Sequence, residues 1–456
     1  MSQVTSQVVP DGYKQTEVGV IPDDWTVSTL NSLTMKKRPI SYGIVQTGRK
    51  INGGIPCLRV LDIVDGKINS ENLIFTTQRI SDSYKRTQLI ENDLVMPLRG
   101  KVGEVGLISK ELVGANLTRG VALIALEKEY VPQYVKQALC SESAKNRLLN
   151  SMNGSALQEI SIGTLRSFKL VIPQSSKEQT AIATALSDVD VLLSELEKLI
   201  AKKQAIKTAT MQQLLTGKTR LPAFVKYKNG KSSNHFEGNN LQNQAGIAPE
   251  GWGRVTLGHD ATLKARIGWQ ALTTKEYLEF GPRLLVTGTD FNAGIVDWNS
   301  CCYVSEWRYK QDFNIQLREG DVLVTKDGTI GKVGYVSKLP LEATLNSGVF
   351  VIRPKNKKFV PKFLFYVLNS SIFTDFIRAI TAGSTITHLY QRDFVNFGFY
   401  APTEEEQTAI ATILSNMDEE IQALKQRLSK TRQIKQGMMQ ELLTGKTRLI
   451  QGEADD

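Results

Sequence analysis

The sequence predicts a mixed α/β fold: two α/β domains separated by two long antiparallel helices that form a coiled-coil spacer, related by a pseudo-two-fold internal repeat. Three observations carry this. Length is the first, because 456 residues exceed what one hydrophobic core usually serves and suit two or three domains. Self-similarity is the second: an offset of 228 aligns 178–221 with 406–449 without a gap, and 24 of the 44 positions are identical. Periodicity is the third. Within these repeated segments apolar residues recur at alternating steps of four and three, the spacing of a coiled-coil seam.

The first variable segment, 1–171, opens with Gly19-x-x-Pro22-x-x-Trp25-x-x-x-x-Leu30. Apolar, β-branched runs such as Leu89 to Met96 and Val121 to Leu126 are bounded by Gly, Asn or Asp, as strands are, and a helical stretch runs from Pro132 to Leu149. The central helical segment, 172–222, follows Pro173 with Ser175-x-x-Glu178, a capping-box pattern, and finds its stop at Gly217. Its seam is Ile182, Leu186, Val189, Leu193, Leu196 and Ile200. From Ser176 to Leu215 is 40 residues, about 60 Å of helix at ~1.5 Å per residue. The polar stretch 223–245, with Asn229-Gly230-Lys231-Ser232-Ser233-Asn234, reads as a linker.

The second variable segment, 246–401, repeats the opening as Gly246-x-x-Pro249-x-x-Trp252-x-x-x-x-Leu257, with strands at Leu284 to Thr287 and Val349 to Ile352 and a helical stretch from Pro361 to Ile380. Gly154-Ser155 is answered by Gly383-Ser384. The last helical segment, 402–450, repeats the box as Thr403-x-x-Glu406, the seam as Ile410, Leu414, Met417, Ile421, Leu424 and Leu428, and the stop as Gly445; 451–456 is a tail. A lone helix cannot bury such a seam. The two copies are therefore expected to pair, and a pseudo-two-fold relation makes them antiparallel. Inserts that diverge while the helices stay alike suggest that the two variable domains read different things.

Composition narrows the partners. Hydrophobic residues at 41% and charged ones at 22% are ordinary globular values, whereas 56 Lys and Arg against 46 Asp and Glu give net +10 and a pI near 9.2, which suits a polyanion. Only 401–456 is net negative (−3), so the excess is not a basic tail. With no run of 18 apolar residues and a polar N-terminus, the chain is expected to be soluble and cytoplasmic. Four cysteines without a C-x-x-C and three scattered histidines imply neither a disulfide framework nor a metal site, and Cys301 and Cys302 read as packed thiols.

Two Gly-Lys-Thr triplets, at Gly217 and Gly445, lack the upstream glycine of a phosphate loop and follow helices, so they read as helix stops. The glycine-rich turns Gly100 to Gly106 and Gly328 to Gly334 lack the dinucleotide spacing. Decorated by Arg99, Lys101, Lys326 and Lys332, they read either as tight turns in a sheet or as backbone that approaches a phosphate. Lys36, Lys37, Arg38 and Arg49 flank Tyr42 and Gln46, Arg59 follows, and Lys264, Arg266, Trp269 and Gln270 form a comparable cluster in the second half. Basic groups neutralise phosphates, and Arg and Gln present paired groups to guanine and adenine edges. Alone, each cluster suits a solvated surface; recurrence in a chain of net +10 favours nucleic acid. No amino-methylation motif, helicase phosphate loop, deaminase zinc motif or nucleophile elbow is present, and Asp62, Asp93, Asp290 and Asp327 read as structural carboxylates.

Together the paired G-x-x-P-x-x-W openings, the capped Glu-Gln helix starts and the Leu-Leu-Thr-Gly-Lys-Thr-Arg-Leu helix ends resemble the specificity subunit of Type I restriction-modification enzymes over nearly the whole chain. Arg266 to Gln270 and Thr287 to Phe291 also resemble one recurrent type of target recognition domain, and the first half lacks those strings. The resemblance implies a non-catalytic adaptor whose two target recognition domains each read half of a bipartite, asymmetric site in double-stranded DNA, with the helices as a ruler. It implies two methyltransferase subunits and endonuclease-translocase subunits as partners, with S-adenosylmethionine, ATP and Mg on them and no cofactor in this chain. A coiled-coil scaffold that binds protein, or a specificity subunit of another methyltransferase system, is the competing reading.

Overall fold

The computed structural model describes residues 9–49, 51–152, 159–225, 227–228, 231–232, 249–268, 271–292, 294–381 and 388–449. Both Gly-Ser pairs and most of the expected linker lie outside the described residues. The chain divides into two compact units, 1–198 with 426–456, and 199–425.

In the first unit, strand Trp25–Thr29 pairs antiparallel with Lys169–Pro173, closing the variable segment on itself just before the long helix begins. Between them lies an antiparallel sheet of order Gly106–Leu107, Leu94–Pro97, Val121–Ile124, Ser41–Tyr42. A second sheet joins Asn116–Leu117, Ile55–Leu58 and Ile74–Thr76, its first pair parallel. Strands Leu94–Pro97 and Val121–Ile124 are buried at every position, because side chains alternate between faces. Leu94, Met96, Ala122 and Ile124 meet Tyr134, Val135 and Leu139 of helix Pro132–Cys140, while Val95, Val121 and Leu123 meet Leu58 and Leu117 of the other sheet.

The second unit repeats the plan. Gly253–Thr256 pairs with Gly398–Ala401. A six-stranded sheet runs Ala261–Lys264, Val349–Pro354, Val322–Thr325, Val333–Tyr335, Ile295–Val296, Phe291–Asn292, and a three-stranded one runs Cys302–Val304, Arg283–Val286, Ala343–Leu345. The alternation recurs: Val322, Val324, Phe350 and Ile352 face an aromatic core with Phe363, Phe373, Phe394, Phe397 and Phe399, and Leu323, Val349 and Val351 face the smaller sheet. Among the described residues no single helix is long and apolar enough to cross a membrane; the bent pair Pro361–Leu368 and Ser371–Thr381 has the composition, yet Phe363 to Leu368 are buried in this core.

The repeated segments form helices Ser176–Leu214 and Glu404–Leu442, 39 residues each. Ion pairs give their sense. Within the first unit Asp190 bonds Lys435 and Glu197 bonds Arg432, both at 2.7 Å, so residue numbers rise on one helix as they fall on the other. Within the second unit Lys203 bonds Glu420 (2.6 Å) and Lys207 bonds Asp418 (2.5 Å) in the same antiparallel order. Asp190–Lys435 and Asp418–Lys207 are one pair seen twice under the 228 offset. Every seam position is buried or half-buried. The starts of the seam depart from a simple coiled coil: Ile182 and Leu186 are built into the first variable domain's core beside Leu442 and Leu443, and Ile410 and Leu414 into the second's beside Met211, Leu214 and Leu215.

The capping-box expectation is corrected. Glu178 does not turn back to its helix start; its buried carboxylate accepts from Trp25 Nε1 (3.1 Å) and from Arg448 Nε (2.5 Å) and Nη2 (2.9 Å). Glu406 is likewise buried and gripped by Arg220. A carboxylate taken out of water needs a full partner, and a guanidinium fork supplies more than a backbone N–H. The neighbouring glutamines hold the domains: Gln179 accepts from Val131 N and donates to Pro173 O, and Gln407 accepts from Val360 N and donates to Pro402 O. Gly217 and Gly445 end their helices at φ of +68° and +72°, the left-handed region open to glycine. A Cβ on Gly445 would lie 2.4 Å from Pro22 Cγ, and one on Gly217 would lie 2.2 Å from Pro249 Cγ. Each G-x-x-P-x-x-W opening is thus the seat on which a Thr-Gly-Lys-Thr-Arg turn docks.

Candidate nucleic-acid interface

The sequence-predicted basic residues separate into three groups once their surroundings are counted. Lys36, Lys37, Tyr42, Gln46, Arg49 and Lys264 are exposed. Arg99 and Lys326 are half-buried at the glycine turns, Arg99 in a β-bridge with Glu159 and Lys326 with its Nζ 3.7 Å from Asp327. Trp269 and Gln270 lie outside the described residues.

The remaining five bond within the protein, and for Arg38, Arg59 and Arg266 this corrects their assignment as DNA contacts. Arg38 bonds both oxygens of buried Asp93 at 2.7 Å and the Gln88 carbonyl. Arg59 bonds Asp62 in the same two-pronged way and reaches the Asn72 carbonyl. Arg266 is 2% exposed, donating to Leu345 O, Thr344 Oγ1 and Gln311 Oε1; burial, and then neighbouring Arg308, lower its pKa. Lys101 Nζ bonds Ile63 O at 2.9 Å and Lys332 Nζ approaches Gly288 O at 3.4 Å. A guanidinium so occupied has few donors left for a phosphate or base edge, whereas Lys101 and Lys332 each spend one of three. Asp62, Asp93 and Asp290 are structural as expected, each accepting from a backbone N–H of its own turn.

Arg38 had a hidden counterpart. The second unit holds the equivalent carboxylate, Asp321, through Arg353 at 2.7 Å on both oxygens, from strand Val349–Pro354 where Arg38 reaches from a turn. The same buried charge is neutralised twice, from different places in the chain, which no fixed offset reveals.

The structure also divides the first unit's exposed cluster. Met35 N bonds Ala125 O, near the Asp93 end of strand Leu94–Pro97, so Lys36 and Lys37 sit at that end. Tyr42 pairs with Ala122, and the chain then runs to the other end: Ile44 N bonds Leu117 O, and Arg119 N bonds Ile44 O. Gly43 is required there, since a Cβ would lie 2.0 Å from Leu117 O. At this second end exposed Arg119 joins half-buried Arg99, while the Thr47 carbonyl accepts from Thr76 Oγ1, so Gln46 and Arg49 flank a segment that runs on to strand Ile74–Thr76. Sequence reasoning missed Arg119; only its β-bridge neighbour Thr118, paired with Ile44, betrays its place.

In the second unit, two separated clusters come together. Leu389 N bonds Lys326 O at 2.7 Å and Gln391 Nε2 reaches Leu263 O at 3.4 Å, so the segment 388–392 spans from the glycine turn to the strand carrying Lys264. His388, Tyr390 and Arg392 on this segment carried no sequence signal. Both glycine turns are tight left-handed turns, with φ of +72° and +86° at Gly100 and Gly103 and +68° and +79° at Gly328 and Gly331, which favours the sheet-turn reading. Cys301 is buried, with burial and nearby Asp290 raising its pKa, consistent with a packed thiol.

Comparison with known proteins bears on what these ends meet. A family model described as Type I restriction modification DNA specificity domain matches residues 22–208 and again 285–433, well over half of the chain. The chain belongs to that family. This specificity protein is 24% identical over 96% of its length to the "Putative type I restriction enzyme MjaX specificity subunit" of Methanocaldococcus jannaschii, covering 97% of that relative. It is 30% identical to the EcoBI specificity subunit of Escherichia coli over 46% of its own chain, which spans only 44% of that relative. Among solved structures, the S subunit of a Type I system from M. genitalium shares the fold, with a TM-score of 0.55 at 17% identity, over 92% of this chain and 96% of that one. A chain from a study of complex assembly and conformational transition of the type I R-M system matches at TM-score 0.52 and 15% identity, over 94% and 99%.

Proposed function

We propose that the chain is the sequence-reading adaptor of a Type I restriction-modification complex, and that each unit reads one half of a bipartite, asymmetric site in double-stranded DNA. The observation that carries this is the doubled scaffold. Two units share sheet plan, helix clamps and buried turn carboxylates, yet present different side chains at their exposed ends. A repeated frame with diverged tips suits two different half-sites. Exposed cations at those ends and the net charge of +10 suit the phosphate backbone.

In this reading the chain performs no chemistry. It directs two methyltransferase subunits, which hold S-adenosylmethionine and methylate a flipped adenine, and endonuclease-translocase subunits that use ATP and Mg, in the cytoplasm. The long helices set the unspecified spacer: 39 residues at ~1.5 Å each make about 58 Å of helix. Half-sites one helical turn apart need roughly 34 to 36 Å.

Methylation-sensitive sequencing of the native genome with and without this gene tests the reading. Loss of methyladenine at one bipartite motif is the expected result; an unchanged methylome in cells expressing the chain and its methyltransferase would sink it. Removing matched residues from both helices should alter the spacer and leave both half-sites intact.

A further inference from the structure

The geometry points to one short element in each unit as the base-reading determinant: Tyr390 and Arg392, braced by His388, in the second unit, and the positions 159, 161 and 163 that answer these three in the first. This rests on the proposed DNA-reading function and specifies where discrimination between the half-sites resides.

The two elements share a backbone. Leu389 N bonds Lys326 O, and Ile160 N bonds Leu98 O, in each case just before the glycine turn. A β-bridge then joins Asp327 to His388 and Arg99 to Glu159. Tyr390 stands at the N-cap of helix Gln391–Phe394, and Ser161 at the N-cap of helix Ile162–Ser167. Buried anchors match as well: Leu389 and Phe394 are 1% and 0% exposed, Ile160 and Leu165 both 0%.

The buried anchors stay apolar, while the outward positions change in chemistry. Glu159, Ser161 and Gly163 are small or acidic and exposed. In the second unit the same places carry three planar groups in contact: the His388 and Tyr390 rings are 4.7 Å apart and tilted by 53°, and the Arg392 guanidinium lies 4.9 Å over the Tyr390 ring. Tyr390 is 44% exposed and the Arg392 side chain 80%. The nearest carboxylate to Arg392, Asp393, is 3.8 Å from Nε, too far for a hydrogen bond, so the fork keeps its donors. His388 is spoken for by Asp327, which leaves Tyr390 and Arg392 to meet the ligand. A stacked Arg is held in place before binding and loses less rotamer freedom on reading an edge, and its fork matches guanine O6 and N7. A common frame with retained anchors and exchanged outward groups is what a half-site determinant requires.

The test is the methylated motif produced by the full complex carrying Arg392→Ala, Arg392→Gln or Tyr390→Ala, with Arg378→Ala, an equally exposed arginine elsewhere on the unit, as the charge control. Arg392→Ala and Tyr390→Ala should relax or lose one position of a single half-site and slow methylation there by about tenfold or more, leaving the other half-site and the control unchanged. A wild-type complex without a bipartite motif would overturn the DNA-reading function itself. A normal wild-type motif that Arg392→Ala and Tyr390→Ala leave untouched, or a change in both half-sites, overturns this determinant alone. Should Tyr390→Ala fail to fold, Arg392→Gln on its exposed side chain decides the matter.

Discussion

Arg448→Ala should be the most damaging surface-accessible substitution in the first unit. Glu178 is 2% exposed and accepts three hydrogen bonds, two of them from Arg448, while Asp24 offers Arg448 a second, half-exposed carboxylate. Breaking a buried pair by removing one partner costs about 3–5 kcal/mol. Trp25 Nε1 remains to Glu178, and Arg448 is itself 28% exposed, so water reaches the gap and the cost falls to about 2–4 kcal/mol; the Asp24 contact adds roughly 0–1. At about 2–4 °C per kcal/mol for a unit of this size, melting should fall by roughly 4–20 °C. Hydrogen exchange should locate the loss in 13–29 and 169–182. Glu178→Gln and the double variant complete a cycle whose coupling should reach about 2 kcal/mol. A coupling below about 0.5 kcal/mol would refute the clamp, and so would unchanged exchange in 13–29.

Three further outcomes follow from the same contacts. Gly445→Ala should destabilise by about 2–5 kcal/mol, since a left-handed non-glycine residue costs roughly 1–2 and the contact with Pro22 adds strain; chemical denaturation measures it, and Gly217→Ala should match it in the second unit. Ile206 and Ile434 are 42% and 49% exposed at equivalent positions, so Ile206→Asp with Ile434→Asp should leave the melting temperature unchanged and abolish co-purification of the methyltransferase. Burial pushes the Cys57 thiol up to about 11, so at pH 8 roughly one molecule in a thousand carries the thiolate; iodoacetamide should label it only after denaturant is added, and rapid labelling of the folded chain would contradict its packing.

The fold was legible because its largest signals are periodic. Seams, helix stops and the paired openings depend on spacing, and spacing survives in one dimension. The clamp was not, because Glu178 and Arg448 are 270 residues apart and the local pattern Ser175-x-x-Glu178 offered the carboxylate a nearer use. Burial outbid that use: a carboxylate inside the core needs a cation, while one at a helix start can rely on water. Site residues fared worst for a similar reason. Arg38, Arg59 and Arg266 look alike in sequence to Arg49 and Arg392, and only the partner, Asp93, Asp62 or a buried carbonyl, separates an arginine that holds the frame from one that is free. The segment 388–392 has no compositional mark at all.

The identities between the two copies sort by what surrounds them. Ile182 with Ile410, and Leu214 and Leu215 with Leu442 and Leu443, are core. Glu178 with Glu406, Arg220 with Arg448, and Gly217 with Gly445 make the clamp, and Asp190 with Asp418 and Lys207 with Lys435 make the helix ion pairs. Packing accounts for these. Lys202 with Lys430, Ile206 with Ile434 and Lys218 with Lys446 are also identical in both copies and exposed in both, as are Thr180 with Thr408, Thr184 with Thr412, Gln212 with Gln440 and Thr219 with Thr447. No internal contact requires an exposed isoleucine twice, and a solvated lysine is freely exchanged. Lys202 and Ile206, like Lys430 and Ile434, are four residues apart and so share a helix face, the one turned from the seam. A surface duplicated by a gene-level repeat and left alike, in a chain whose reading tips have diverged, suits a partner that is itself present twice. Under the proposed function the tips meet two different half-sites, and this repeated surface fits two copies of one subunit.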